Sequence, residues 1–209
     1  MRYNLIIVSC SKKGLVRLTE GCIASARQDG ADLDITVVET SGKLHSYDAN
    51  SVLYEGAFNY NRALNLGINT SRECDVYILA NNDLIFYPGW SKIGDLMAAN
   101  GFGSASAIRG RMETGDYIYE GYQIGFILTG WCIFSTSETI SKIGKLDETY
   151  DFWCSDNAYA DQLKKAGIRH GLFCNVRVDH LENATLKTVN LSTRRKYTLH
   201  SLNEYRNGS

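Results

Sequence analysis

Apolar and polar positions fall into alternating blocks over the first hundred residues. Leu5-Ile6-Ile7-Val8, inside 3–9, is a nearly unbroken apolar run, as expected of a strand covered on both faces. Positions 15, 18, 22, 23 and 26 repeat at helical spacing, so 15–28 predicts a helix that Gly30 stops. Ile35-Thr36-Val37-Val38, bounded by Asp34 and Glu39, predicts a second strand, and the polar stretch 40–55 a loop. A helix is expected over 56–69, with Phe58, Ala63, Leu64 and Leu66 on one face. A third strand follows at 76–80, and a helix at 88–99 with Pro88 near its first turn, where proline is tolerated. This alternation predicts βαβ units and a parallel sheet whose strands end in polar tips at 9–11, 39–42 and 81–83.

Beyond residue 100 the texture changes. Seven glycines lie in 101–130, which predicts short strands and loops carrying Tyr117, Tyr119 and Tyr122 at roughly alternating positions. A strand is expected over 126–134, helices over 137–143 and 155–166, and a last strand over 173–178 that ends at Asp179-His180. From Ser192 onward the pattern predicts an amphipathic helix with Arg194, Arg195 and Lys196 in its first turn. No repeat or low-complexity stretch interrupts the chain, which predicts one large domain or a domain with a small appendage.

At 209 residues the chain can bury a substantial core. It holds no apolar run of about 18 residues that could span a bilayer. The apolar block at 4–8 is too short for a signal peptide and is followed at once by Lys12 and Lys13, so a cytoplasmic protein without membrane contact is expected. A formal charge of −1 excludes the strongly basic class of nucleic-acid binder. The six cysteines show neither C-x-x-C nor zinc spacing and are expected to be reduced thiols. Thirteen tyrosines suit sugar or base binding as well as plain packing.

Candidate chemistry gathers at Asn81-Asn82-Asp83, directly after a buried strand. A carboxylate there must be satisfied, and oxygen-seeking divalent cations are a common answer. Open α/β sheets also bind ligands outside the carboxyl ends of their strands. The alternative is a polar turn whose side chains bond the local backbone.

Six segments occur in an order that resembles a known family. They are V-V-E-T-S-G (37–42), N-Y-N-R-A-L-N-L-G-I (59–68), Y-I-L-A-N-N-D-L-I-F-Y-P-G-W (77–90), T-G-W-C-I-F (129–134), C-S-D-N-A-Y-A-D-Q-L-K-K-A-G (154–167) and V-R-V-D-H (176–180), with I-S-K-I-G-K-L-D-E (140–148) between the fourth and fifth. Together they resemble family 2 glycosyltransferases of the GT-A fold across about residues 3–185. The resemblance implies a single-domain α/β/α sandwich with a mostly parallel central sheet. Within it, 1–100 is the nucleotide-binding half, 101–185 the acceptor half and 186–209 a C-terminal helix.

The resemblance also implies roles. Asp83 matches the metal-binding acid of the family's D-x-D motif, with Asn81 in place of the first acid and His180 as a further ligand, for Mn²⁺ or Mg²⁺. A sugar nucleotide carries a diphosphate whose charge grows as the glycosidic bond breaks, which is the chemical need for a cation. Asp156 matches the acid of the E-D motif and is the candidate catalytic base, kept ionised by the dipole of the helix it opens. Ser155 stands where the family's first acid is usual, and Gln162 where many members carry Arg. Ser9, Glu39, Asn61, Arg62, Asn65, Asn82 and Asp83 form the nucleotide-sugar set, Arg62 meeting a phosphate or pairing with Glu55. Gly130, Trp131 and Trp153 would line the acceptor pocket. Arg194, Arg195 and Lys196 would be either a lid over the diphosphate or a solvated basic face.

The implied activity is transfer of a sugar, with inversion, from a UDP-sugar to a hydroxyl on a saccharide, a protein side chain or a hydroxylated DNA base. Two alternatives stand beside it. A nucleotidyltransferase would carry a glycine- and basic-rich loop after the first strand, whereas 9–14 has two lysines and one glycine. A non-catalytic nucleotide-sugar or carbohydrate module fits the missing first acid at Asn81.

Overall fold

The structure, a computed structural model, describes residues 1–12, 14–110, 114–151, 153–181 and 205. The elements run β1 (Arg2–Ser9), α1 (Val16–Arg27), β2 (Asp32–Glu39), β3 (Asn50–Leu53), α2 (Tyr60–Thr70), β4 (Val76–Asn81) and β5 (Leu84–Phe86). A single 3₁₀ turn, Trp90–Lys92, then leads into α3 (Ile93–Asn100), β6 (Ser104–Ile108), β7 (Ile118–Glu120), β8 (Cys132–Thr136), α4 (Ser137–Ile143), α5 (Ser155–Lys165) and β9 (His170–His180).

One sheet carries all nine strands in the order β3-β2-β1-β4-β8-β6-β9-β5, with β7 paired to β9. The first four strands are mutually parallel, β8 runs antiparallel to both β4 and β6, and β6 is parallel to β9. Each face is covered. Leu5 and Ile7 of β1 enter a core with Cys22, Ile23 and Ala26 of α1 and Ile93 and Met97 of α3. Ile6 and Val8, one step out of phase, enter a second core with Ala63 and Leu64 of α2 and Tyr159 and Leu163 of α5. This two-sided burial is why the β1 sequence is apolar at consecutive positions. Among the described residues no helix is long and apolar enough to cross a membrane.

Several expectations needed correction. The stretch 40–55 is not only a loop, because β3 adds to β2 from Thr36↔Asn50 to Glu39↔Leu53. The helix expected at 56–69 starts at Tyr60, where Asn59 caps it by accepting the Arg62 amide at 2.8 Å. The strand expected at 126–134 begins only at Cys132. The amides of Phe126, Ile127 and Leu128 all donate to the Gln123 carbonyl, at 3.3, 2.9 and 3.0 Å, and close a turn there. The helix expected at 88–99 opens as a 3₁₀ turn after Gly89, and Asp29 accepts the Gly89 and Ser91 amides at 2.6 and 2.9 Å. The last strand is longer than 173–178, running to both sides of it. Arg194, Arg195, Lys196 and the helix expected from residue 192 lie outside the described residues.

Candidate active site

Parallel pairing brings the C-terminal ends of β1, β2 and β4 to one edge, with Ser9 opposite Glu39 and Val8 opposite Asn81. Glu39 is fully buried there. Its Oε1 accepts the amides of Ser11 at 2.7 Å and Ser41 at 3.1 Å, and its Oε2 accepts the Tyr47 hydroxyl at 3.1 Å. Ser9 Oγ shares hydrogen bonds with Thr19 Oγ1 at 2.8 Å and with the Tyr47 hydroxyl at 3.2 Å. Burial, and the Glu39 charge beside it, raise the Tyr47 phenol above its ordinary range. Glu39 therefore fixes the two loops that follow β1 and β2. Tyr47 was missed in the sequence because it sits in a stretch that is polar overall.

The β4 tip leads to a second polar cluster. Leu84 pairs with His180 across β5 and β9, which sets Asp83 beside the imidazole, with Asp83 Oδ1 3.1 Å from His180 Nε2. Asn81 Nδ2 lies 3.4 Å from the same nitrogen, and Asn81 Oδ1 accepts the Tyr60 hydroxyl at 2.8 Å. The His180 ring stacks on Trp131 at 5.4 Å with planes 10° apart, and the Trp131 carbonyl accepts the Asn81 amide at 2.9 Å. Asn82 turns inward and donates to Thr19 Oγ1 at 3.1 Å.

A divalent cation must fit these donors. Among the described residues no three His, Cys, Asp or Glu side chains meet, and the donors at hand are the Asp83 carboxylate, the His180 imidazole and the Asn81 amide oxygen. One carboxylate and one imidazole would suit a first-row ion such as Mn²⁺. Mg²⁺, which favours oxygen throughout, matches the pair less well.

Asp156 lies in the first turn of α5. Its Oδ1 accepts the Asn157 amide at 3.0 Å, yet burial outweighs that bond and pushes the carboxyl above its ordinary value. The residue before the helix's first, Cys154, has φ of +67°, the one non-glycine left-handed residue among those described, a backbone state that costs roughly 1–2 kcal/mol. Gly130 permits the close approach of the segment before β8. A Cβ at Gly130 would lie 2.7 Å from Asp156 Cβ and 3.0 Å from its Oδ2. Gly130→Ala is therefore expected to destabilise the fold by about 1–3 kcal/mol through overpacking. It should also lower activity more than the stability loss explains, because Asp156 itself must move; thermal denaturation alongside kcat measures both.

Tyr60, buried at the start of α2, donates its hydroxyl to Asn81 at the β4 tip. Its phenol is raised first by burial, and the charges of Asp83 and Asp156 both push it further. Tyr60, Gly130 and Asp156 line one crevice of about 10 Å³, at the lower limit for a single water. Tyr60 thus links the β4 tip, through Asn81, to the crevice that Asp156 lines. Sequence reading passed over Tyr60, although the Asn59 cap marks it as the first residue of α2.

Asn61 lines the crevice with Asp156, and Asn61, Arg62 and Asn65 all bond the 146–148 segment. Asn61 Nδ2 donates to the Asp147 carbonyl at 2.7 Å, and Asn65 Nδ2 donates to the Leu146 carbonyl and to Glu148 Oε1, both at 2.9 Å. Asn65 Oδ1 accepts the Leu146 amide at 2.9 Å. Arg62 pairs with Glu148 at 3.1 Å, not with Glu55. These side chains fasten α2 to the 146–148 segment. Asn65→Ala leaves buried partners unsatisfied and is expected to cost about 1–3 kcal/mol in denaturant unfolding without changing nucleotide-sugar affinity. Trp153 lies in the turn before α5 and is 36 % exposed.

A mixed, mostly parallel sheet with helices on both faces and an antiparallel β8 in its middle is the GT-A glycosyltransferase fold. The chain superposes on GalNAc-T7, solved with UDP, GalNAc and Mn²⁺, with a TM-score of 0.70 at 11 % identity, covering 86 % of this chain and 43 % of that one. It superposes on the mannosyltransferase PcManGT from Pyrobaculum calidifontis, solved with GDP-Man and Mn²⁺, with a TM-score of 0.62 at 13 % identity, covering 86 % and 56 %. The chain spans about half the length of these proteins, and at such identities the likeness is one of fold. No protein-family profile and no curated protein matches the sequence.

Proposed function

We propose that this chain transfers a sugar, with inversion, from a nucleotide-sugar donor, UDP-linked, to an acceptor hydroxyl. The observation that carries the reading is the Asp83–His180 pair at 3.1 Å beside Asn81, which accepts the hydroxyl of the Tyr60 that lines the Asp156 crevice. Asp83 and His180, with Asn81 beside them, would hold Mn²⁺ or Mg²⁺, which when bound supplies positive charge against the diphosphate. Asp156 takes the acceptor's proton as its oxygen bonds the anomeric carbon. The bond from that carbon to the diphosphate oxygen breaks, and the nucleoside diphosphate leaves with the electron pair. An acid raised by burial is a stronger base than an exposed carboxylate, which suits that role. Gly130 and Trp131 border the acceptor side, and Ser9 and Glu39 shape the loops nearest the nucleoside.

The test is incubation with a panel of UDP- and GDP-sugars and Mn²⁺, reading released nucleoside diphosphate. Release from at least one donor is expected, and none from any would overturn the reading. A second reading, a nucleotide-sugar-binding module without turnover, is favoured by Asn81, whose amide oxygen is held by Tyr60 where a second acid would strengthen a cation site. Calorimetric binding of donors without release or transfer would support it instead.

A further inference from the structure

Beside the cleft lies a surface that the donor chemistry does not use. Tyr117, Tyr119 and Phe126 are 41 %, 43 % and 44 % exposed, among the few large hydrophobic side chains left to solvent. They form a row. Tyr117 meets Tyr119 at 5.5 Å and Tyr119 meets Phe126 at 5.7 Å between ring centroids. β7 carries Tyr119 along β9, antiparallel, and the 123–128 turn presents Phe126 at the row's end. Contiguous exposed rings of this kind mark a binding surface.

The row runs into a pocket. Phe126, Thr129, Arg109 and His180 line an open cavity of about 560 Å³, so one wall is the imidazole that faces Asp83. Thr129 is 5 % exposed, and its Oγ1 has no hydrogen-bond partner among the described residues. A buried hydroxyl left in that state costs about 1–3 kcal/mol, which a ligand hydroxyl would recover. Arg109 adds a side chain rich in donors.

We infer that the Tyr117–Tyr119–Phe126 row and the Thr129 pocket form the acceptor site for a neutral oligosaccharide. Its pyranose faces would stack on the rings while its terminal hydroxyls enter the pocket. The inference rests on the proposed transfer and names its acceptor class. Pyranoses combine an apolar C–H face with a rim of hydroxyls, and tyrosine and phenylalanine rings match the face while Thr129 and Arg109 match the rim. Charge argues against a polyanion. Asp116 and Glu120 flank the row, Asp116 accepting from Asn175 at 3.2 Å and Glu120 held by Arg169 at 2.9 and 2.7 Å. β7 itself carries no Lys or Arg to meet a nucleic-acid phosphate.

Binding without any nucleotide sugar keeps this test separate from turnover. Neutral glucose, mannose, galactose and N-acetylglucosamine oligomers, from monosaccharide to hexasaccharide, are titrated by saturation-transfer NMR beside single-stranded oligonucleotides. At least one series should bind, more tightly as it lengthens. Tyr119→Ala and Phe126→Ala should each weaken it about tenfold, Tyr119→Phe should restore it, and Thr129→Val should weaken even the shortest binder. Absence of saccharide binding, equal binding in the alanine variants, or salt-dependent oligonucleotide binding in place of saccharide would overturn the inference. Row-dependent saccharide binding in a protein that releases no nucleoside diphosphate would sink the transferase reading and leave the site standing as a binding surface.

Discussion

Asp156→Asn should lower kcat for sugar transfer by about 10²–10⁴-fold, the usual worth of a general base, and leave donor affinity unchanged. Asparagine keeps the shape and the amide contact at 3.0 Å but cannot accept the acceptor's proton. The pH profile follows from burial, which raises this carboxyl above its ordinary value of 3.8. Activity needs the ionised form, so kcat/KM should fall as pH drops through the raised pKa, at higher pH than an exposed aspartate would give.

Stability should move the other way. A carboxyl whose folded pKa exceeds its unfolded one favours the protonated folded state, so stability declines as pH rises from the unfolded pKa through the folded one. The penalty is fully present above the folded pKa, and Asp156→Asn removes it. The variant should therefore melt higher than the wild type at neutral pH and equally with it at strongly acidic pH. A wild-type rate in Asp156→Asn would end its assignment as the base. A lower melting temperature at neutral pH would show instead that the carboxylate is stabilised in place, contrary to its burial.

What the sequence made legible was whatever lies on one element. Alternating blocks revealed β1, β2, β4 and the helices between them, because each face of a layered sheet imposes its own period. Asp83 stood out as a carboxylate just after an apolar run, whereas Asp156 stood out only by its place in the ordered series of motifs, because an acid in a helix's first turn is common. Contacts between distant segments left no local trace. Asn61, Arg62 and Asn65 meet residues more than eighty positions away, so nothing near them announces the 146–148 anchor. Tyr60 reads as an ordinary first helical residue until the fold sets its hydroxyl on Asn81 and lines the Asp156 crevice with it. β3 was hidden because an exposed edge strand lacks an apolar run, and its burial is intermediate throughout after an exposed first residue. The 126–131 segment was mistaken for strand because its apolar residues serve a turn and a pocket wall, and apolarity alone does not distinguish these.

Asp83→Asn should reduce Mn²⁺-dependent turnover by about 10²-fold or more, since it removes the one carboxylate of the candidate cation site. His180→Ala should weaken cation affinity by roughly 10–100-fold and leave more residual rate at saturating Mn²⁺, because Asp83 still supplies charge. Trp131 gives a readout that does not depend on turnover. Its ring stacks on His180 at 5.4 Å, so a paramagnetic ion held by that imidazole should quench its fluorescence. The quench should saturate with Mn²⁺ in the wild type, strengthen when UDP is present to complete the coordination, and vanish in Trp131→Phe, in which Trp90 and Trp153 remain. Chelation should abolish both quench and turnover. If chelated protein keeps its full rate and Asp83→Asn matches it, the positive charge opposing the leaving diphosphate must come from side chains, and the Asp83–His180 pair is then a structural contact between the β4 and β9 tips.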